Sequence, residues 1–225
     1  MTDWHTFVVS DLHIGSAYFH RRLFLRFIDT LKPGTTLVFN GDTIDTPRKE
    51  LDAADVEVLD RIRKLAEKVS IVWVPGNHDP RHQPLQVDGI TYIDTYHVDK
   101  RIVVMHGHQF DKGSLHRQLF IEAFRMFYRL STRFSGEHVH EAEFAKSWKF
   151  LYNYLRRKVR TRAVNYAREH GYSAVACGHV HYAEDSDSSG VRYLNTGAWT
   201  ESATFCVCIS DDRIELHSIY DLVGK

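Results

Sequence analysis

The chain has 225 residues, with Lys+Arg and Asp+Glu both at 29 and 15 histidines against 3 cysteines. A chain this long buries roughly 70–75% of its unfolded surface, enough for one sizeable core and a subdomain. Balanced charge argues neither for nucleic acid nor against it, while the three thiols, none at zinc-finger spacing, read as reduced and buried.

Near the N-terminus no basic-then-apolar leader precedes Asp11, and no run approaches the length of a membrane span, so a soluble cytoplasmic protein is expected. Residues 6–10 (TFVVS) form a β-rich run that ends in Asp11-Leu12-His13. Phe24, Phe27, Ile28 and Leu31 then recur at helical spacing until Pro33-Gly34 stops them, and 36–40 (TLVFN) is the next strand. A second stripe, Leu59, Ile62, Leu65, Ala66 and Val69, leads into the strand 71–74. Strands alternating with helices predict a layered α/β protein with part of its sheet parallel, whose ligands bind beyond the carboxyl ends of the strands.

From about 90 the strands crowd together (90–93, 95–98 and 102–106), which predicts hairpin-like, antiparallel pairing. Leu119, Phe120, Ala123, Phe124, Phe127 and Leu130 mark an aromatic-rich helix, and Trp148, Leu151, Tyr152, Leu155 and Val159 a second. Beside that second stripe lie Lys149, Asn153, Arg156, Arg157 and Arg160, a pattern that by itself reads as a solvated basic face. Strands return at 173–177, 191–195, 203–209 and 213–219, so the organisation expected is one domain carrying a helical insertion at about 113–170.

The chemistry collects at strand ends. Val38-Phe39-Asn40-Gly41-Asp42 breaks an apolar run with a turn and leaves Asp42 at the strand tip, three residues before Asp45. Four other junctions do the same with Asp11-Leu12-His13, Gly76-Asn77-His78-Asp79, His106-Gly107-His108 and Gly178-His179-Val180-His181. Carboxylate, amide and imidazole donors without thiolate suit Mn²⁺, Fe²⁺ or Zn²⁺ better than a soft metal. Asp42 takes the central place, as a carboxylate bridging two ions.

These motifs, in this order, resemble those of the calcineurin-like metallophosphoesterases from Asp11 to Gly197. The resemblance implies an αββα sandwich of two mixed sheets with a helical cap insertion. It also implies two divalent ions, Mn²⁺ first, with Fe, Zn, Mg or Co as alternatives. By position, Asp11, His13 and His181 would hold one ion, Asn77, His106 and His179 the other, and Asp42 would bridge. His78, next to Asn77, would protonate the leaving oxygen, with Asp45 accepting a hydrogen bond from it and His108 touching phosphate or supporting His106.

The insertion and the ending Asn195-Thr196-Gly197-x-Trp199 resemble, within that family, the bacterial UDP-2,3-diacylglucosamine pyrophosphohydrolases and their paralogues. That implies a lipid-linked nucleotide-sugar substrate, a cap that holds acyl chains around Phe124 with Arg156, Arg157 and Arg160 against the charge, and peripheral contact with the inner membrane. The apolar residues of 119–134 are then expected to line a groove opening toward the metals. The chain departs from that group at His78, usually arginine there, and at His108, usually aspartate, which points to a broader phosphodiesterase or phosphatase chemistry. A nuclease using the basic face of 149–160, and a non-catalytic scaffold on the same fold, are the competing readings.

Overall fold

The computed structural model describes residues 4–45, 51–79, 88–111 and 149–224, without the side chains of 149–151. The expectations for 113–148, including the first cap helix, Phe124 and its groove, lie outside the described residues. Strands β1 (Thr6–Val9), β2 (Thr36–Asn40), β3 (Ser70–Val74) and β4 (Ile90–Tyr92) run parallel in one sheet. That sheet is completed at its other edge by antiparallel β10 (Phe205–Ile209) and β11 (Ile214–Ser218), giving the order β11-β10-β1-β2-β3-β4. The second sheet has the order β5-β6-β7-β9-β8. Its centre, β6 (Ile102–Val104), β7 (Ala174–Cys177) and β9 (Val191–Asn195), is parallel, and its edges, β5 (Tyr96–Val98) and β8 (Glu184–Ser188), are antiparallel.

Strand alternation builds three apolar layers. Val8, Val38, Val72 and Val74 meet Ile102, Val104, Ala174, Ala176 and Leu194 between the sheets. The intervening residues Val9, Leu37, Phe39, Ile71 and Trp73 face the helices α1 (Arg21–Thr30) and α2 (Ala53–Ala66). On the far side, Val103, Val175, Cys177 and Tyr193 pack against Ala163, Val164 and Ala167 of α3 (Lys149–Glu169). The order is helix, sheet, sheet, helix, as the resemblance implied. A short α4 (Ile219–Val223) ends the chain against α1.

One strand expectation needs correction, and one strand was not foreseen. The run 90–98 is not a hairpin: β4 joins the first sheet in parallel with β3, while β5 pairs with β6 in the second. Strand β8, with the sequence EDSDS, has no apolar alternation to betray it and is set by its ladder with β9. Its acidic side chains suit an edge strand that must not pair further.

Phe24 is fully buried, edge-on to Trp199 at 5.3 Å and tilted against Phe39 and Phe19 at 6.2 and 5.8 Å. Phe24→Ala should therefore cost about 3–5 kcal/mol, whereas Tyr220→Ala, on a side chain that is 50% exposed, should stay within about 0.5 kcal/mol. Urea unfolding midpoints of the metal-free variants check both.

Candidate metal centre

Every parallel strand of the two sheet centres ends at the same edge of the sandwich, and the loops that follow carry the candidate residues. Asp11 and His13 follow β1, Asp42 and Asp45 follow β2, and 77–79 follow β3. From the other sheet come His106 and His108 after β6, and His179 and His181 after β7. Three groups of donor atoms form there among the described residues, the atoms of each lying within 4.8 Å of one another: Asp11, His13 and His181; Asp42, His106 and His179; and, at the rim, His13, Asp45 and His78. In the first, His181 Nε2 is 3.2 Å from Asp11 Oδ1 and 3.2 Å from His13 Nε2. In the second, His106 Nε2 is fully buried 3.2 Å from Asp42 Oδ2 and makes no hydrogen bond among the described residues.

The remote nitrogens explain why the rings aim inward. His13 Nδ1 donates to Asp45 Oδ1 at 3.1 Å, His106 Nδ1 to the Asn40 carbonyl at 2.8 Å, and His179 Nε2 to Asp111 Oδ2 at 3.2 Å. Each acceptor fixes the proton on that nitrogen and leaves the lone pair on the other, the arrangement by which proteins prepare imidazole for a cation. Nitrogen and oxygen donors, an unsatisfied buried His106 Nε2 and oriented rings together fit divalent ions. The nearby Cys177 does not compete, because burial pushes its thiol far up and keeps it protonated.

The backbone bends sharply to achieve this. Among the described residues seven non-glycine residues have positive φ, and five of them are Asp11, His13, Asp42, His179 and His181. Left-handed backbone at a residue with a Cβ costs on the order of 1–3 kcal/mol and persists where the surroundings over-determine it. Here Asp11 N bonds the Gly41 carbonyl at 3.0 Å, His13 N the Asp42 carbonyl at 3.0 Å, and His179 N both Asp11 oxygens at 3.1 Å. Gly76 and Gly178 bring backbone against the carboxylates: a Cβ would overlap Asp42 Oδ1 at the first and Asp11 Oδ2 at the second.

The rim is different in character. Asn77 and His78 are exposed, on a loop stapled by Asp79, whose carboxylate accepts from Ile44 N at 3.0 Å and Gly76 N at 2.8 Å. His78 N donates to Asp42 Oδ1 at 2.7 Å. The His78 ring donates from Nδ1 to the Asp45 main-chain carbonyl at 2.8 Å, while the Asp45 carboxylate is engaged by His13. Asp45 thus orients two histidines by two different oxygens. His108 lies on a 3-10 turn (His108–Asp111), its ring centroid 5.4 Å from that of His106.

The line of arginines is not an open anion strip. Arg156 Nε and Arg160 grip the two oxygens of Glu184 at 2.9 and 2.7 Å, and Arg156 also covers the Tyr182 ring at 3.6 Å. Glu184 is nearly buried on β8, so it draws both cations toward the sheet, and only Arg157 stays exposed. Sequence reading also passed over Asp111, Asn40 and Ser10. Asn40 donates to carbonyls of the second sheet, Met105 at 3.3 Å and Ala176 at 3.5 Å, and Ser10 bonds Asp11 Oδ2 and Thr196. Position immediately before or soon after a ligand was their only signal.

A family model described as calcineurin-like phosphoesterase matches residues 5–183. No curated protein matches the chain. Similar solved structures include Yfce, a phosphoesterase from E. coli, at 16% identity over 96% of this chain and 94% of that one, TM-score 0.48. Another is the phosphopantetheinyl hydrolase PptH of Mycobacterium tuberculosis, at 15% identity over 88% and 91%, TM-score 0.45. A third is Vps29 of Entamoeba histolytica complexed with zinc, at 17% identity over 95% and 97%, TM-score 0.44.

Charge dominates the floor of the site. Burial alone would raise the Asp11 and Asp42 carboxyls, but the His106 charge, with the His181 ring against Asp11 and the His106 ring against Asp42, holds both below the ordinary range. Burial likewise opposes charge on His106, yet Asp42 and Asp11 push it up to about 10. His13 is also raised: burial opposes it, while the bond to Asp45 and the charges of Asp11 and Asp42 outweigh burial. A proton on His106 thus stands where a cation would bind.

The His106 contribution to the stability of metal-free protein is complete below its ordinary value of 6.5 and is lost as pH rises to about 10. The contributions of Asp11 and Asp42 are present above their ordinary value of 3.8 and are lost as pH falls below it. Melting temperature of chelator-treated protein should therefore decline from pH 6.5 to 10, while Mn²⁺ affinity rises over the same window and binding at neutral pH releases protons. Calorimetric melting and Mn²⁺ titration in weakly buffered solution measure both.

Proposed function

The chain belongs to the calcineurin-like phosphoesterase family, and on that premise we propose a hydrolase that cleaves phosphodiester or pyrophosphate bonds with two divalent ions. The observation that carries this reading is the pair of donor triads at one edge of the sandwich. Asp11, His13 and His181 would hold one ion, and Asn77, His106 and His179 the other, with Asp42 bridging. Bound there, the ions would polarise phosphoryl oxygens and lower the pKa of a water. Mn²⁺ is the first candidate in this reading, with Fe, Zn, Mg or Co able to substitute; the donor set of imidazole, carboxylate and amide, without thiolate, argues only against a soft metal.

The chain's own residues divide the remaining work. Asp42 is positioned from both sides, by His78 N on Oδ1 and by His106 on Oδ2. His78 is the proton donor to the leaving oxygen in this reading. Its Nδ1–H stays on the Asp45 carbonyl, so Nε2 can deliver a proton and the ring then rests in the tautomer that the carbonyl already selects. Its exposure at the rim supports that reading. Arg157 and His108 are candidates in this reading for contact with the rest of the substrate.

UDP-2,3-diacylglucosamine is the candidate substrate within this reading, supported by the motif order and by Asn195-Thr196-Gly197-x-Trp199. That ending braces the site: Asn195 Nδ2 donates to the Gly178 carbonyl at 2.8 Å, and Trp199 N to the Asp11 carbonyl at 2.9 Å. An acylated substrate would draw the enzyme to the inner membrane face as a peripheral, cytoplasmic protein. Among the described residues no helix is long and apolar enough to cross a membrane. Pairing of Arg156 and Arg160 with Glu184 engages cations that both readings would use, on the phosphate backbone of a nuclease substrate and on the charge of the lipid-linked one, and so favours neither.

Two outcomes test the proposal. Purified protein with Mn²⁺ should hydrolyse bis(p-nitrophenyl) phosphate faster than p-nitrophenyl phosphate, and UDP-diacylglucosamine should yield UMP. Asp42→Asn should abolish these activities and lose at least one metal equivalent by elemental analysis; a full metal complement in that variant would remove the bridging role.

His78→Gln should keep both metals yet lose roughly 10²–10⁴ in turnover on substrates with poor leaving groups. Esters of p-nitrophenol, which need little protonation, should lose much less. Equal losses on both would assign His78 to positioning instead.

A further inference from the structure

We propose that Asp111 is a positioning residue that sets the affinity of one of the two cation sites, by holding the His179 ring so that Nδ1 faces Asp42 and His106. The inference rests on the reading of the site as a two-cation centre. A carboxylate can only accept, so the 3.2 Å contact from His179 Nε2 to Asp111 Oδ2 puts the ring proton on Nε2 and the lone pair on Nδ1. The main chain of His179 is already fixed, because its N–H donates to both Asp11 oxygens and its φ is 67°. What those bonds leave undetermined is rotation of the ring about its side-chain torsions, and Asp111 is the group that fixes it.

Asp111 is itself held firmly. It ends the His108–Asp111 turn, in which Phe110 N bonds the Gly107 carbonyl at 3.0 Å and Gly107 N bonds Gln109 Oε1 at 2.9 Å. From α3, Arg162 donates to the Phe110 carbonyl at 2.7 Å, and Tyr166 packs on the Phe110 ring at 6.0 Å between centroids. The Asp111 side chain is largely buried, so its charge acts on His179 with little screening. His106 has a neutral carbonyl in the equivalent place. A charged acceptor makes the imidazole a stronger donor to a cation, and losing such a partner typically costs 10–100-fold in metal affinity.

The test is Mn²⁺ titration of chelator-stripped protein, followed by electron paramagnetic resonance and by elemental analysis. Wild type should bind two equivalents. Asp111→Ala should weaken one equivalent by about 10–100-fold and leave the other unchanged, and the weakened one should be that lost in His179→Ala. Asp111→Asn keeps an oxygen acceptor without the charge and should recover part of the loss. Unchanged affinity in Asp111→Ala, or equal weakening of both equivalents, would overturn the proposal. Should Asp111→Ala fail to melt cooperatively, the Asn variant decides alone: weakening confined to one equivalent supports the role, and none, or equal weakening of both, overturns it. Wild type that holds fewer than two ions would instead sink the two-cation reading, since no second step would exist to weaken.

Discussion

Two carboxylates without access to water, Asp11 at 0% and Asp42 at 2% exposure, are the constraint around which the rest is arranged. Burying an ionised carboxylate costs several kcal/mol even after the surroundings relax, so positive charge and N–H donors must be gathered around it. Asp11 takes the His179 amide and the Ser10 hydroxyl, and His181 approaches its Oδ1. Asp42 takes the His78 amide and faces His106. In the metal-free protein protonated imidazole does what a divalent ion would do, which is why His106 is pushed up to about 10.

That arrangement needs both sheets. Each supplies parallel strands ending at the same edge, and Asn40 joins them there: its side chain reaches carbonyls of the second sheet and its own carbonyl takes His106. Aliphatic side chains, mostly Val, Ala and Ile, fill the space between the sheets, while Phe24, Phe27, Phe39, Trp73 and Trp199 lie in the layer against the helices. Helix α3 then ties the far side together. Tyr152 donates to the Val180 carbonyl at 2.8 Å, Arg156 and Arg160 hold Glu184, and Arg162 holds Phe110. One helix thus braces the loops of both His106 and His179, which gives the basic residues beside its apolar stripe a structural use.

Floor and rim are built by different rules. Most donors on the floor are buried, the remote nitrogens of His13, His106 and His179 are bonded, and the backbone is strained at Asp11, His13, Asp42, His179 and His181, so the floor is preorganised at the expense of stability. Asn77 and His78 are exposed on a loop held by main-chain bonds to Asp79 and Asp42, so they are positioned without being sealed. A proton donor has to meet its substrate and then exchange with water, and exposure permits both.

Read alone, the chain determined a great deal here. Periodicity placed α1, α2 and the strands of the inner layers, since period-2 and helical patterns reflect which face is buried. The strand-end motifs named Asp11, His13, Asp42, His106, His179 and His181, because unusual donors at a chain break are visible without coordinates. Tertiary structure decided the partition of 90–98 between two sheets, the edge strand β8 and the capture of Arg156 and Arg160 by Glu184. It also decided that Asp111 meets His179 across 68 residues of sequence and that Asp45 serves His13 with its carboxylate and His78 with its carbonyl. The reason is physical: periodicity records how much water a residue sees, whereas a hydrogen bond or ion pair is set by which two chain segments the folded layers bring within about 3 Å, and nothing local to either segment encodes that distance.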